Sequence, residues 1–101
     1  MAAGVLQAVT ANRLADGAVV FRRADGQWVL RVEEAAAVAG EAAQAVLIAA
    51  ERDAAAAIVV GPYLIEVETT AGDPAPIGYR ERIRAYGPSR AFHADVPTRH
   101  P

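Results

Sequence analysis

The sequence predicts an α+β domain in which a small antiparallel sheet packs against one alanine-rich helix, with a short helix at the C-terminal end. Three observations carry this prediction: a period-two alternation near the N-terminus, two Asp-Gly pairs between apolar runs, and an alanine stripe at helical spacing. The length of 101 residues predicts a single domain over 1–101. We expect an ordered core at about 5–88 and a flexible tail at 89–101.

The N-terminal third predicts a three-stranded antiparallel meander. Residues 5–12 alternate in the way that is typical of a half-buried strand. The tripeptides Ala15-Asp16-Gly17 and Ala24-Asp25-Gly26 separate the next apolar runs, and Asp-Gly is a strong hairpin signal because glycine readily adopts positive φ. The second and third strands are therefore expected at about 18–23 and 27–32. We interpret Trp28 as the main packing anchor of this meander.

The alanine-rich middle of the chain predicts a helix. Glu33 and Glu34 favour the start of a helical region, because the helix dipole stabilises acidic residues in the first turn. Gly40 is expected to divide this region into a short turn over 34–39 and a longer helix over 41–55. Ile48 lies outside the small apolar stripe of that helix and is expected to be exposed. The stripe itself is expected to face the sheet and consists of Ala39, Ala43, Val46, Leu47, Ala50 and Ala54.

The longest β-prone run, over 57–68, is expected to be the central strand. Pro62 within it cannot donate a ladder hydrogen bond, so it marks an edge, a bulge or a break. The segment from Thr69 to Pro76 is expected to be a loop because it is rich in glycine, aspartate and proline. With so much alanine the core must be thin, and its large members are expected to be Phe21, Trp28, Leu30, Leu47, Tyr63, Leu64, Ile65 and Ile83.

The last predicted element is a short helix from about Gly78 to Tyr86, ended by Gly87-Pro88. Tyr79, Ile83 and Tyr86 have the spacing of one buried helix face.

Composition excludes several classes of function. The chain has no cysteine, which excludes disulfides, thiol redox chemistry and thiolate-held zinc or iron–sulfur clusters. The N-terminus has no signal-peptide pattern, and the nearly uncharged run from Ala54 to Ile65 is too short to span a bilayer. We therefore expect a cytoplasmic protein with no membrane association.

No enzyme mechanism emerges from the ionisable residues, and we expect no cofactor, no metal and no catalysis. Glu66 and Glu68 alternate on one strand face and are interpreted as a solvated outer face. His93 and His100 have no neighbours that would complete a metal site, and Ser89 has no base at a diagnostic spacing.

The segment Arg80-Glu81-Arg82-Ile83-Arg84 is the strongest candidate for an interaction or anion site. Residues 77–101 carry five arginines against two acids, whereas residues 1–76 carry five arginines against ten acids. Arg80 and Arg84 are one helical turn apart and could present two guanidinium groups to a carboxylate or an oxyanion. The alternative is a solvated helix whose arginines pair with Glu66 and Glu68. Nucleic-acid binding is disfavoured by the net charge of −2.

Three sequence blocks resemble the bacterial family known as domain of unknown function 2849. The first runs from Val9 to Leu14 and on through the two Asp-Gly pairs to Trp28; the second covers 62–67, and the third covers 80–89. The resemblance implies no activity. It implies a genomic context beside assimilatory sulfite reduction, and hence an accessory role in reducing sulfite or nitrite.

Two functional hypotheses follow. In the first, a non-catalytic protein docks on a component of sulfite reductase or on its electron donor, through the arginine-bearing helix and the edge formed by Pro62, Tyr63 and the residues up to Val67. In the second, a small module binds an oxyanion or tetrapyrrole carboxylates in a pocket where Arg13, Arg80 and Arg84 converge. The oligomeric state stays open.

Overall fold

The computed structural model describes residues 6–70 and 72–87 of the chain. Within them the chain forms a five-stranded antiparallel sheet of order β3-β2-β1-β4-β5, two α-helices and a single-turn 3₁₀ helix. The α+β class with an antiparallel sheet is therefore confirmed. The predicted tail at 89–101 lies outside the described residues. The elements are β1 Leu6–Arg13, β2 Val19–Arg22, β3 Trp28–Val29, the 3₁₀ turn Val32–Glu34, α1 Glu41–Ala55, β4 Val59–Thr70, β5 Asp73–Pro76 and α2 Tyr79–Tyr86.

The two Asp-Gly pairs form turns that use the same hydrogen bonds. Asp16 accepts the backbone N–H of Ala18 at 3.1 Å and is held by both arms of the Arg13 guanidinium. Asp25 accepts the N–H of Gln27 at 3.0 Å and is held by Arg23 in the same bidentate way. The arginine hydrogen bonds, more than any other cause, lower the pKa of each aspartate to about 2.

The central strand is β1, not the later strand that the sequence indicated. β1 pairs with β2 on one side and with β4 on the other, so β4 is second from the edge. The prediction was wrong because an apolar run shows burial and cannot show how many neighbours a strand has. Between Tyr63 and Val60 the register shifts, so that Gly61 and Pro62 together face one residue of β1. This is a β-bulge, and Gly61 adopts φ +62° within it.

The segment expected to be a loop before Pro76 contains a fifth strand instead. Residues Asp73–Pro76 pair with the end of β4, and both Pro74 and Pro76 are buried. Proline is tolerated because β5 is an edge strand, where a missing N–H breaks no ladder bond if it faces away from the neighbour. β5 has only four residues against twelve in β4, so it covers only the final third of that strand.

The third strand is shorter than predicted. It ends at Val29, and Leu30 is 57% exposed although it was expected in the core. Val32 begins the 3₁₀ turn and is buried in its place. The reason is topological: β3 lies at the edge of the sheet, so a residue just beyond it has no neighbouring layer to pack against.

Small apolar cores lie on the two faces of the sheet, because alternate residues of each strand point to opposite sides. Ala43 and Ala50 of α1 are fully buried, and α1 packs on β4 and β1. The other face is covered by the 3₁₀ turn and by the end of α2, where Ala85 and Tyr86 contact the core. The core on the α1 side consists of Ala11, Val20 and Val59, with the partly buried Trp28 and Ala54 packed against them. The core on the other side consists of Ala8, Phe21, Val32, Ala35, Ile65 and Val67.

A polar cluster joins the end of α1 to β2 and β3. One oxygen of Asp53 accepts hydrogen bonds from Arg22 Nη1 at 3.0 Å and from the indole N–H of Trp28 at 2.8 Å. The Arg22 guanidinium also lies 5.9 Å from the centre of the Trp28 ring. Trp28 is therefore anchored by hydrogen bonding as well as by packing.

Candidate docking site on the second helix and the neighbouring strand

The helix α2 is short and polar, and its ends are set by glycines. Gly78 precedes it in an extended conformation, and Gly87 follows it at φ +86°, donating its N–H to the carbonyl of Ile83 at 2.8 Å. Glycine is favoured at this position after the helix because other residues rarely adopt positive φ. Few apolar side chains hold so short a helix on the sheet, so its polar contacts matter.

Tyr63 and Glu81 are brought together across the gap between β4 and α2. The Tyr63 hydroxyl donates to Glu81 Oε1 at 3.0 Å, and Oε2 is 3.3 Å away. Burial raises the pKa of Tyr63, and the hydrogen bond to Glu81 raises it further. The hydroxyl therefore remains a protonated donor at neutral pH, and the bond connects α2 to the sheet.

Arg84 points into the structure rather than outward with Arg80, as the helical spacing had suggested. Its side chain is only 17% exposed and its guanidinium lies 5.4 Å from the centre of the Tyr63 ring. Nη2 donates to Thr10 Oγ1 at 3.3 Å and to the carbonyl of Ala11 at 3.4 Å. Glu81 Oε1 is 3.9 Å from Nε, so the acidic partner of Arg84 is Glu81 and not Glu66 or Glu68.

Arg80 is the arginine of α2 that remains outside. It is exposed, and no ion pair joins it to any residue in the described ranges 6–70 and 72–87. Its charge lies close enough to Tyr63 to act against the rise in the pKa of that hydroxyl. Arg82, between the two, donates Nε to the carbonyl of Pro76 at 3.4 Å. The three arginines of this helix therefore have three different environments.

Arg13 does not join this cluster through any described contact. Its guanidinium is held by Asp16 at 2.8 Å in the first turn. Since Arg84 is held by the Ala11 carbonyl, Thr10 and Glu81, two of the three arginines proposed to form one anion pocket are already engaged within the chain.

A surface that the sequence reading missed adjoins this cluster, at the start of β4 on the N-terminal side of the bulge. Val60 is 51% exposed and Ile58 is 46% exposed, although both belong to the run expected to be the central strand. Leu14 is 52% exposed and donates its N–H to the carbonyl of Ile58 at 3.0 Å. The signal was present, since the run from 58 to 65 is uncharged, but only the pairing shows that part of it lies at an edge to which no strand of the described residues is paired.

A groove of about 370 Å³ lies between α2, β5 and the 3₁₀ turn. It exists because β5 forms, which the sequence did not reveal. Charges of both signs line it, and the described residues hold no cluster of three or more His, Cys, Asp or Glu side chains suited to a metal ion. Its lining consists of Glu33, Glu68, Asp73, Pro74, Ala75, Pro76, Arg82 and Tyr86.

The fold and these surfaces define a small α+β protein whose ionisable side chains hold its second helix in place. The chain belongs to the family described as protein of unknown function (DUF2849), which matches residues 7–93. Comparisons with curated proteins and with solved structures found no match. None of the helices in the described ranges has the length and apolar character needed to cross a bilayer.

Proposed function

We propose that this chain is a non-catalytic interaction protein of the cytoplasm that docks on a protein partner. The docking surface comprises the exposed face of α2 at Arg80 and the adjoining segment from Ile58 to Leu64, which includes the N-terminal half of β4. The observation that supports it best is the contrast between Arg80 and Arg84. The first is exposed without an ion-pair partner in the described part of the chain, whereas the second is used to hold the helix.

We propose that the partner is a component of assimilatory sulfite reductase or its electron donor. A component of nitrite reduction is the second choice. This assignment rests on the genomic context that the family resemblance implies. The acidic or carboxylate-bearing surface of such a partner would suit Arg80, because guanidinium binds carboxylates through paired hydrogen bonds. Binding of an oxyanion or a tetrapyrrole by converging arginines has less support, since Arg13 and Arg84 are already engaged.

The test is capture of partners from cells grown with sulfate as the sulfur source. The tagged wild-type chain is expected to recover reductase components, and Arg80→Glu is expected to abolish the recovery. The matched control is Arg52→Glu, because Arg52 is also an exposed arginine on a helix. Arg84→Glu is not a suitable variant, since it would place a carboxylate beside Glu81 and disturb the fold.

The two parts of the proposal can fail separately. If the wild type recovers no reductase component, the sulfite assignment is wrong. If Arg80→Glu recovers the same components as fully as Arg52→Glu does, the docking surface is wrong.

A further inference from the structure

The outer edge of β4, meaning the backbone of Val59–Leu64 on the side away from β1, has no strand paired to it in the described part of the chain. β5 pairs only with Val67–Thr70, and the last bond on that side runs from the N–H of Ile77 to the carbonyl of Glu66 at 3.1 Å. Backbone groups of alternate residues point to the same side of an antiparallel strand. Leu64 and then Pro62 therefore follow Glu66 along this edge.

This edge lacks the charges with which proteins usually protect an unpaired strand. Free edges are commonly protected by charged side chains, by proline or by a bulge. Here the run from Ile58 to Ile65 contains no charged residue, and its protection consists of Pro62 and the bulge at Gly61. Pro62 removes one donor, but the N–H and carbonyl of Leu64 and the carbonyl of Pro62 remain for pairing.

The side chains beside the edge indicate the composition of a strand that would fit. Val60 and Ile58 are about half exposed and alternate along the strand, so they present apolar surface on the same face. At the other end, Glu81 is satisfied by Tyr63 and Arg84, whereas Arg80 is exposed and has no ion-pair partner among the described residues. An acidic residue in the incoming strand would complement it.

We propose that the outer edge of β4 receives an extended segment of the partner protein as an added strand, with apolar side chains at alternate positions against Val60 and Ile58 and an acidic residue near Arg80. Main-chain hydrogen bonds at an exposed sheet edge supply affinity in this mode of recognition, and the alternate side chains supply specificity. The residue of the incoming strand opposite Pro62 donates its backbone N–H to the Pro62 carbonyl. Its own carbonyl accepts no bond there, because proline has no N–H. This inference rests on the proposed function and specifies the chemistry of its partner.

The test uses the full-length ¹⁵N-labelled chain and a short synthetic peptide in which valine and threonine alternate and two glutamates follow. A second peptide of the same length, identical except for proline in place of the central threonine, is the comparison. The first peptide is expected to slow hydrogen exchange of the Leu64 amide about tenfold or more at saturation, because the added strand covers that N–H. Val60→Lys is expected to weaken binding about tenfold or more. Leu30→Lys is the matched control, since Leu30 is equally exposed beside β3 and is expected to have no effect.

The proposal is overturned if the first peptide causes no saturable change in hydrogen exchange, or if both peptides protect the Leu64 amide equally. The same holds if the changes fall on the residues that line the groove between β5 and α2. It is also overturned if the Leu64 amide is already protected in the free chain. Protection lost on dilution would show a second copy on the edge, and protection lost on deleting residues 88–101 would show the chain's own C-terminal residues there.

The capture experiment separates this inference from the proposed function. If Arg80→Glu abolishes recovery of the reductase components while Val60→Lys does not, docking stands and strand addition fails. If nothing is captured but the peptide responds as expected at Leu64, the strand site stands and the sulfite assignment fails.

Discussion

The hydroxyl of Tyr63 donates a hydrogen bond to the carboxylate of Glu81 at 3.0 Å, and Arg84 lies against both groups. This arrangement joins α2 to the middle of β4 through a half-buried polar cluster. The cluster acts together with the apolar contacts of Ala85 and Tyr86 to hold the helix on the sheet. It also explains why two neighbouring arginines of one helix have different roles.

Replacing Arg84 should destabilise the fold, whereas replacing Arg80 should not. Arg84→Met removes the hydrogen bonds to Thr10 and Ala11 and leaves Glu81 without its charged neighbour, so we expect a loss of about 2 kcal/mol in the free energy of unfolding. Arg80→Met should change it by no more than about 0.5 kcal/mol, since Arg80 is exposed. Urea denaturation measures both. Equal losses in the two variants would contradict the inward role of Arg84.

Tyr63→Phe should lower the free energy of unfolding by about 1.5 kcal/mol, because it removes a hydrogen bond to a charged acceptor. The phenyl ring keeps the contact with Arg84, so the change isolates the hydroxyl. The single variants Tyr63→Phe and Glu81→Ala and the double variant complete a cycle measured by denaturation. A coupling energy near zero would show that the bond contributes nothing.

The two Asp-Gly turns should titrate at unusually low pH. The pKa of Asp16 and that of Asp25 are each lowered to about 2, against an ordinary value of about 3.9. Since the folded pKa is the lower one, each contribution to stability is complete above about pH 4 and is lost as the pH falls through 2. Carboxyl NMR titration checks this. Arg13→Gln should raise the pKa of Asp16 and leave that of Asp25 in place, so the second turn is the control for the first.

Ala57→Gly should stabilise the protein. Ala57 follows α1 at φ +64°, where an L side chain costs about 1 kcal/mol and glycine is the usual residue. Ala56→Gly is the matched control, because Ala56 has an ordinary φ of −85° and only the added chain entropy acts there. We expect a rise of up to about 1 kcal/mol in the free energy of unfolding for Ala57→Gly and a fall of about 0.5 kcal/mol for Ala56→Gly. A fall in both would mean that the conformation at Ala57 carries no strain.

Asp53→Ala should loosen the junction between α1 and the sheet. It leaves Arg22 and the Trp28 indole N–H without their shared acceptor, and we expect a loss of about 2 kcal/mol in the free energy of unfolding together with a change in Trp28 fluorescence. Glu51→Ala is the control, since Glu51 is an exposed acid on the same helix. An unchanged Trp28 spectrum in Asp53→Ala would argue against the hydrogen bond.

Local patterns in the sequence were sufficient for the α+β class and for the antiparallel sheet. Alternation over the first strand and the Asp-Gly pairs are signals that act within a few residues, because φ preference and side-chain period belong to the chain itself. The position of Pro62 likewise limited the local geometry to an edge, a bulge or a break, and the structure shows a bulge on an edge that has no paired strand among the described residues. The same patterns identified Tyr63, Glu81 and Arg84 as candidates, although not the way in which they meet.

Tertiary structure decided which strand is central, whether residues 73–76 pair, and which arginine points inward. These depend on contacts between distant residues, such as Arg84 with Thr10, whose energies no local pattern contains. By itself the sequence determined which segments prefer to be strand, turn or helix, since those preferences arise from covalent geometry. Only the folded chain decided that Arg84 supports the helix while Arg80 stays exposed, because burial and electrostatic pairing are properties of the assembled packing.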